Sequence, residues 1–270
     1  MTQNNAIERY ARQTVLPQFG TKGQTRLHST SALIVGVGGL GSVVSLYLCA
    51  AGIGKLSLVD PDIIAESNLQ RQILYRTSQI GKQKVEQAQK SLHDLNPNVE
   101  IEFHALKYEF SNAVNLSKGH DIIIDGTDNA QTRYLMNDVS IGLNIPYIFG
   151  AISDFLGQIS VFNSATNSAM DSATYRCLFP ELPETPDLTD KQNGNSSNGV
   201  LGCLPGVIGC MEVNEAIKTL CGMGNTLQNK LYSINLLNMQ SQIYSIKARS
   251  EERKLALENF YKMARSIPKK

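Results

Sequence analysis

The apolar residues of this chain come in short blocks, and their texture changes once, near residue 150. Before that point SALIVG (31–36), KLSLVD (55–60), NVEIEFHAL (98–106), DIIIDG (121–126) and PYIFGA (146–151) are runs of strand length. Between them lie stretches of helical length: GGLGSVVSLYLCAAG (38–52), residues 79–95 closed by Asn96-Pro97, and residues 129–143. Short apolar runs bounded by Gly, Asn or Pro mark buried strands, and longer periodic stretches mark helices. Strands alternating with helices at this spacing predict a parallel sheet covered on both faces. A polar helical stretch over 7–28, broken at Gly20 and Gly23, precedes the first strand.

After residue 150, GQISVF (157–162), KLYSINLL (230–237) and QIYSIKA (242–248) predict antiparallel strands, with an apolar helix over 205–221. The fold class is therefore α/β: a Rossmann-like parallel sheet with helices on both faces, extended by C-terminal antiparallel strands. Between these parts runs ELPETPDLTDKQNGNSSN (181–198), with hardly any large apolar side chain. Structureless stretches of this length are usually lids or mobile segments. Near the C-terminus Leu257, Phe260, Tyr261 and Ala264 recur at helical spacing. That pattern fits a docked, a partner-binding or a frayed terminal helix alike.

Composition narrows the picture. With 270 residues, the prior is one large domain or a core with an appendage. No apolar run is long enough to span a bilayer, and MTQNNAIERY lacks a signal peptide's apolar stretch, so a cytoplasmic protein is expected. Five scattered cysteines (49, 177, 203, 210, 221) with no CxxC pair fit reduced thiols rather than a disulfide framework. The net charge of +1 hides a split. Residues 246–270 hold eight Lys/Arg and three Glu, against 17 basic and 21 acidic residues before them. Nucleic-acid proteins carry their basic stripe on the folded body. A short basic tail on an acidic body implies neither nucleic acid nor membrane.

Chemistry begins at Gly36-Val37-Gly38-Gly39-Leu40-Gly41, which follows a strand and opens a helix. Gly36, Gly38, Gly39 and Gly41 permit a tight turn and let phosphate approach amides at a positive helix end. Asp60 ends the next strand, where a carboxylate can hold ribose hydroxyls. Alone, this pattern favours NAD or FAD, or a purely structural turn. The next motifs do not suit hydride transfer. SNLQRQ (67–72) lies in a polar loop, IGKQKV (80–85) opens a helix, and DGTDN (125–129) ends the fourth strand. Arg71, Lys84 and Asp128 thus converge on the crevice of the glycine loop, as polyphosphate with a magnesium ion requires. Taken singly, Arg71, Lys82 and Lys84 are also readable as solvated charges and Asp128 as a helix N-cap.

Together with ERYARQ (8–13), TYRCLFP (174–180) and GVLGCLPGVIG (199–209), these motifs resemble the ThiF/MoeB/HesA family, bacterial relatives of the ubiquitin-activating enzymes, from about residue 7 to 245. The resemblance implies one adenylation domain over 1–245: a nucleotide-binding part near 30–150, a carrier-binding part near 150–245 with the mobile loop 181–198, and then a basic helical tail, 246–270. It implies an ATP-dependent adenylyltransferase acting on the C-terminal glycine carboxylate of a ubiquitin-like sulfur carrier ending in Gly-Gly, for thiamine or molybdopterin sulfur transfer. By that resemblance the four loop glycines and Asp60 hold adenosine. Asn68, Arg71 and Lys84 contact phosphates, Asp128 with Asn129 beside it holds magnesium, and Arg12 reaches a partner's site in a homodimer. Gly150, Gly157, Gly199 and Gly202 would flank the carrier's tail. A carboxylate nucleophile is ionised at neutral pH and needs no general base. Histidines 28, 93, 104 and 120 accordingly stand outside the motifs.

The chain departs from the family twice. Many relatives hold zinc with two CxxC pairs. Here Thr174 replaces the first cysteine beside Cys177, and no cysteine follows Cys221. Four ligands are needed, so zinc is expected to be absent and Cys177 to be a small buried residue. The loop position that captures the carrier in some relatives corresponds to Asn195, so adenylation without a covalent cysteine step is expected, with Cys203 in reserve. The alternatives are a ribosomal peptide as substrate, a non-catalytic scaffold of the same fold, and a nicotinamide oxidoreductase.

Overall fold

The computed structural model describes residues 8–164, 172–181 and 199–266. Eight strands form one sheet: β1 (Ser31–Val35), β2 (Lys55–Val59), β3 (Glu100–His104), β4 (Ile122–Asp125), β5 (Tyr147–Ser153), β6 (Leu156–Phe162), β7 (Lys230–Asn235) and β8 (Gln240–Ser245). Their order is β3-β2-β1-β4-β5-β6-β7-β8. The first five are parallel, and β6, β7 and β8 are added antiparallel. Both halves of the predicted sheet are present, and they are continuous.

Alternation of side chains across β1 explains the two apolar layers. Ala32 and Ile34 face a layer built with α2 (Gly20–His28), α3 (Gly39–Ala51), α4 (Lys84–Leu95) and α8 (Leu204–Cys221). Leu33 and Val35 face the other, built with α5 (Ala113–Ser117), α6 (Ala130–Leu143), α7 (Tyr175–Leu178) and α9 (Ser250–Ser266). A short helix, α1 (Ala11–Thr14), precedes α2. Ala32, Leu33 and Ile34 are completely buried. Truncating such a Leu or Ile to Ala costs about 2–5 kcal/mol, so this central strand fixes the position of the loop after it.

Two elements differ from expectation. The helix expected over 79–95 begins at Lys84. The chain before it turns at Gly81 (φ 84°), whose amide donates to the Ile64 carbonyl at 2.8 Å. That turn holds Lys84 at the helix start, beneath the carboxyl ends of the strands. The terminal helix α9 is docked. It buries Arg253, Ala256, Phe260 and Met263, while Tyr261 faces solvent. The Phe260 ring fills the place a Cβ on Gly142 of α6 would take. Asn259 Nδ2 donates to Asp138 Oδ2 at 3.0 Å, and Arg253 donates to Asn163 Oδ1 at 3.0 Å. Of the four residues expected along one face, only Phe260 anchors it. Almost all of the predicted loop 181–198 lies outside the described residues. No helix among the described residues is long and apolar enough to cross a membrane.

Candidate active site

The strand order reverses at β1, with β2 on one side and β4 on the other. Such switch points open a crevice at the carboxyl ends of parallel strands. A cavity of about 470 Å³ occupies this one.

The glycine loop forms its floor. Gly36 has φ 86°, a left-handed conformation, and a Cβ there would lie 2.6 Å from the Gly126 carbonyl oxygen. At Gly41 any Cβ would collide with the Gly36 carbonyl, so α3 packs on the loop only because both positions are glycine. Gly38 and Gly39 also line the cavity, at the start of α3. Free amides and the helix dipole make this end attractive to anions.

Asp60 stands beside the loop. Its Oδ2 accepts from the Val37 amide at 2.7 Å and its Oδ1 from the Asp62 amide at 2.9 Å. Burial pushes its pKa up, while Lys84 and the two amides pull it down. Lys84 is itself buried. Its Nζ lies 2.8 Å from Asp62 Oδ2 and 4.0 Å from Asp60 Oδ2. Arg71 flanks Gly39 and donates to the Ser67 carbonyl at 3.1 Å. Among the described residues no carboxylate pairs with it. On the opposite wall Asn129, also in the lining, caps α6: its Oδ1 accepts from the Thr132 amide at 2.9 Å. The neighbouring Asp128 carboxylate is therefore no cap. It is exposed in the cavity and has no partner among the described residues.

Gly36, Gly38, Gly39, Asp60, Arg71, Lys84, Asp128 and Asn129 thus line one cavity. Three predicted residues do not. Gly41 lies behind the loop as a packing contact. Asn68 is outside the lining, and its Oδ1 accepts from the Ala65 amide at 3.1 Å. Its carbonyl accepts from the amides of Arg71 and Gln72, so Asn68 shapes the loop that carries Arg71. Arg12 is exposed on α1, outside its own chain's cavity. Of the four glycines expected along the tail channel, Gly199 lines the cavity. Gly150 and Gly157 are packed against Glu212 and Ile208 of α8, and Gly202 against Gln70.

Gln72 and Arg133 are among the lining residues that sequence reasoning misses. Gln72 is buried next to Gly38, with its Oε1 unpartnered among the described residues. It belongs to the SNLQRQ segment (67–72) that also carries Arg71. Arg133 of α6 donates through Nε to Asp125 Oδ2 at 2.9 Å and through Nη2 to the carbonyls of Thr127 and Gly150 at 2.8 and 3.3 Å. Burial opposes its charge, but Asp125, Tyr147 and Tyr175 together outweigh this and hold its pKa above the ordinary arginine value. Asp125 also accepts from Thr127 N and Oγ1 at 2.8 and 2.7 Å and from Tyr147 OH at 3.0 Å. This buried knot fixes the 126–128 turn that presents Asp128. Its only sequence signal was an arginine one turn after the DGTDN segment.

The sequence model of the ThiF family matches residues 10–255. The chain belongs to the ThiF family. Among curated members, a sulfur carrier protein adenylyltransferase of Thermus thermophilus is 41% identical over 225 residues, covering 83% of this chain and 82% of that protein. The SAMP-activating enzyme E1 of Haloferax volcanii is 39% identical, covering 86% and 83%. The adenylyltransferase and sulfurtransferase MOCS3 of Drosophila sechellia is 42% identical over 84% of this chain, and this ThiF-family chain spans about half (48%) of its length. Among solved structures, PaaA superposes with a TM-score of 0.76 at 22% identity, covering 91% of this chain and 75% of that one. Escherichia coli MccB with ATP gives 0.76 at 22%, covering 88% and 71%. At those identities the likeness shows the fold: an E1-like α/β sheet with the C-terminal antiparallel extension.

Proposed function

We propose that this ThiF-family protein is a cytoplasmic adenylyltransferase that activates the C-terminal glycine carboxylate of a ubiquitin-like sulfur carrier with MgATP. The observation that carries the reading is the convergence of Arg71, Lys84 and an unengaged Asp128 on the amide-rich start of α3, within one cavity. A relative at 41% identity named as a sulfur carrier protein adenylyltransferase points the same way. The microcin C7 biosynthetic enzyme MccB is only 20–22% identical in its solved structures, so the carrier reading is preferred over a peptide one.

In this reaction a carrier carboxylate oxygen bonds to the α-phosphorus of ATP. The bond from that phosphorus to the β-bridging oxygen breaks, and pyrophosphate leaves. Two anions approach each other, so fixed positive charge is the main requirement. Lys84 and Arg71 supply it from the floor, and the α3 amides add partial charge. Asp60 holds the ribose hydroxyls and pins the loop through Val37. Asp128 would hold magnesium, which neutralises phosphate charge when bound. Arg133 acts through Asp125 and positions that turn without touching substrate.

Several observations support the finer points. None of the described residues lining the cavity is a cysteine, and Cys203 is exposed outside it. That favours adenylation without a covalent cysteine step. Where many relatives hold zinc, Cys177 Sγ lies 3.4 Å from the amides of Thr174 and Arg249. No group of three or more His, Cys, Asp or Glu that could hold a metal ion occurs among the described residues. The donor set does not fit tetrahedral zinc. It clasps α7 to the start of α9 by hydrogen bonds. Arg12, exposed and outside its own cavity, suits a homodimer in which it completes the partner's site. ATP–pyrophosphate exchange with a Gly-Gly-ended carrier tests the whole. Exchange that requires carrier supports it, and nucleotide binding restricted to NADH overturns it.

A further inference from the structure

A nucleotide laid across this cavity has a fixed direction. The phosphate-binding groups run from Lys84, 4.0 Å from Asp60, inward to the α3 start, Arg71 and Asp128 at the ends of β1 and β4. Asp60, the ribose acid, ends β2, the next strand outward, and β3 lies beyond it. Two strand spacings, about 10 Å, separate β1 from β3. A base on a ribose at Asp60 therefore points toward the loop that follows β3.

That loop carries a cation. Lys107 lines the cavity together with Tyr108. The backbone beneath it is pinned. Asn112 Nδ2 donates to the Lys107 carbonyl at 2.9 Å, and Asn112 Oδ1 accepts from the Glu109 amide at 2.9 Å. Tyr108, buried, hydrogen-bonds through its OH to Ser117 Oγ at 2.9 Å. The Lys107 ammonium itself has no hydrogen-bond or ion-pair partner among the described residues. The acids nearest the ribose position, Asp60 and Asp62, are already served by Lys84. A lysine on a braced loop in a cavity wall, left without an acid, has donors to spare for a bound ligand.

We propose that Lys107 is a base-recognition residue of this site. Its stem covers the purine, and its ammonium donates to a ring-nitrogen acceptor of the base. Lysine offers three donors and no acceptor. The residue then sets nucleotide affinity and leaves the α-phosphorus, on the far side of Asp60, undisturbed. This rests on the nucleotide reading above and goes beyond it, since no motif in the sequence selected Lys107.

The test compares wild type with Lys107→Met, which keeps the stem and removes the charge. ATP and ribose 5-triphosphate, which lacks the base, are titrated into each protein. A charged hydrogen bond contributes about 1.5 kcal/mol or more, roughly tenfold in affinity. K107M should weaken ATP about tenfold and ribose 5-triphosphate by less than twofold. In pyrophosphate exchange KM for ATP should rise by the same factor, with kcat at saturating ATP held within twofold, and Lys107→Arg should recover part of the loss. An unchanged ATP affinity, or equal weakening of both ligands, overturns the proposal. Equal weakening would make Lys107 a phosphate or ribose contact. If wild type binds ribose 5-triphosphate and ATP equally, the base is unread and the proposal also falls. If wild type binds neither, the nucleotide reading itself fails, and the Lys107 proposal with it.

Discussion

The ammonium of Lys84 lies 2.8 Å from the Asp62 carboxylate and 4.0 Å from that of Asp60. The Lys84 side chain is 6% exposed and Asp62 is 62% exposed. The cation is therefore held from below by the protein and from the rim by an acid that solvent reaches. A phosphate entering the cavity can take over from Asp62 without leaving Asp60 uncompensated. The slot suits a compact ammonium and not a planar guanidinium fork. Lys84→Ala should lower pyrophosphate exchange by roughly 10³-fold or more, the scale of a lost phosphate-clamping cation. Lys84→Arg should fail to recover it. Exchange assays at saturating ATP decide this, and a K84R variant of near-normal kcat would refute the compact slot.

Asp128 and Asn129 are neighbours with separate tasks. Asn129 caps α6, while the Asp128 carboxylate is unengaged in the cavity. Asp128→Asn should leave the melting temperature unchanged and cost exchange roughly 10²–10³-fold, as removal of a transition-state electrostatic contact does. Asn129→Ala should cost about 1 kcal/mol of stability, the usual value of an N-cap, and lower the melting temperature by roughly 2–4 °C. Calorimetry and exchange on both variants separate the roles. Equal loss of stability in both would show that the turn needs the pair together.

Much of this site was legible before the fold was known. ALIV of β1 and III of β4 are continuous apolar runs because both faces of those strands are covered. The glycine loop was legible because its context, strand then helix, limits what it can be. Other features were hidden by tertiary structure. Helix α4 starts five residues later than its pattern suggests, because the Ile64–Gly81 hydrogen bond turns the chain first. Helices α5 and α7 are 5 and 4 residues long, too short for periodicity to register. The packed face of α9 is set by Gly142 and Asn163, distant in sequence, so Arg253 is buried and Tyr261 is not. Arg133 and Glu212 looked like helix residues of no special kind. What distinguishes them is the backbone across the layer: the Gly150 carbonyl for one, the Gly150 α-carbon for the other.

Arg12 gives a test that no single variant can. If it completes a partner's cavity, R12A and D128N damage the same site from different chains. In a two-fold dimer a heterodimer of the two variants holds one doubly damaged site and one intact site. Each variant alone should be inactive in exchange. Random pairing on co-expression should restore about a quarter of wild-type activity, since half the dimers are mixed and each has one good site of two. No recovery in isolated mixed dimers would show that Arg12 does not complete the partner's cavity.

Glu212 ties stability to pH from inside the core. It is fully buried on α8, and its carboxyl lies where a Cβ on Gly150 would stand. Neither oxygen has a hydrogen-bond partner among the described residues. Burial raises its pKa well above the ordinary value, Asp125 adds to the rise, and Arg133 opposes it. Below the unfolded pKa, about 4.3, both states carry the proton and the group costs nothing through ionisation. Above it the unfolded chain releases the proton while the folded chain keeps it. Stability then falls with rising pH by up to about 1.4 kcal/mol per pH unit, until the raised folded pKa is reached. Glu212→Gln has the same shape and no proton to lose. It should match wild type near pH 4 and be more stable at pH 7, with the gap still widening toward pH 8 if the folded pKa lies higher. Denaturant unfolding at pH 4, 6, 7 and 8 reads the gap directly. Parallel stability curves for the two proteins would mean that Glu212 is ionised and paired in the fold. Glu212→Ala also loses the titration but leaves a cavity against Gly150, so it should be less stable than Glu212→Gln at every pH.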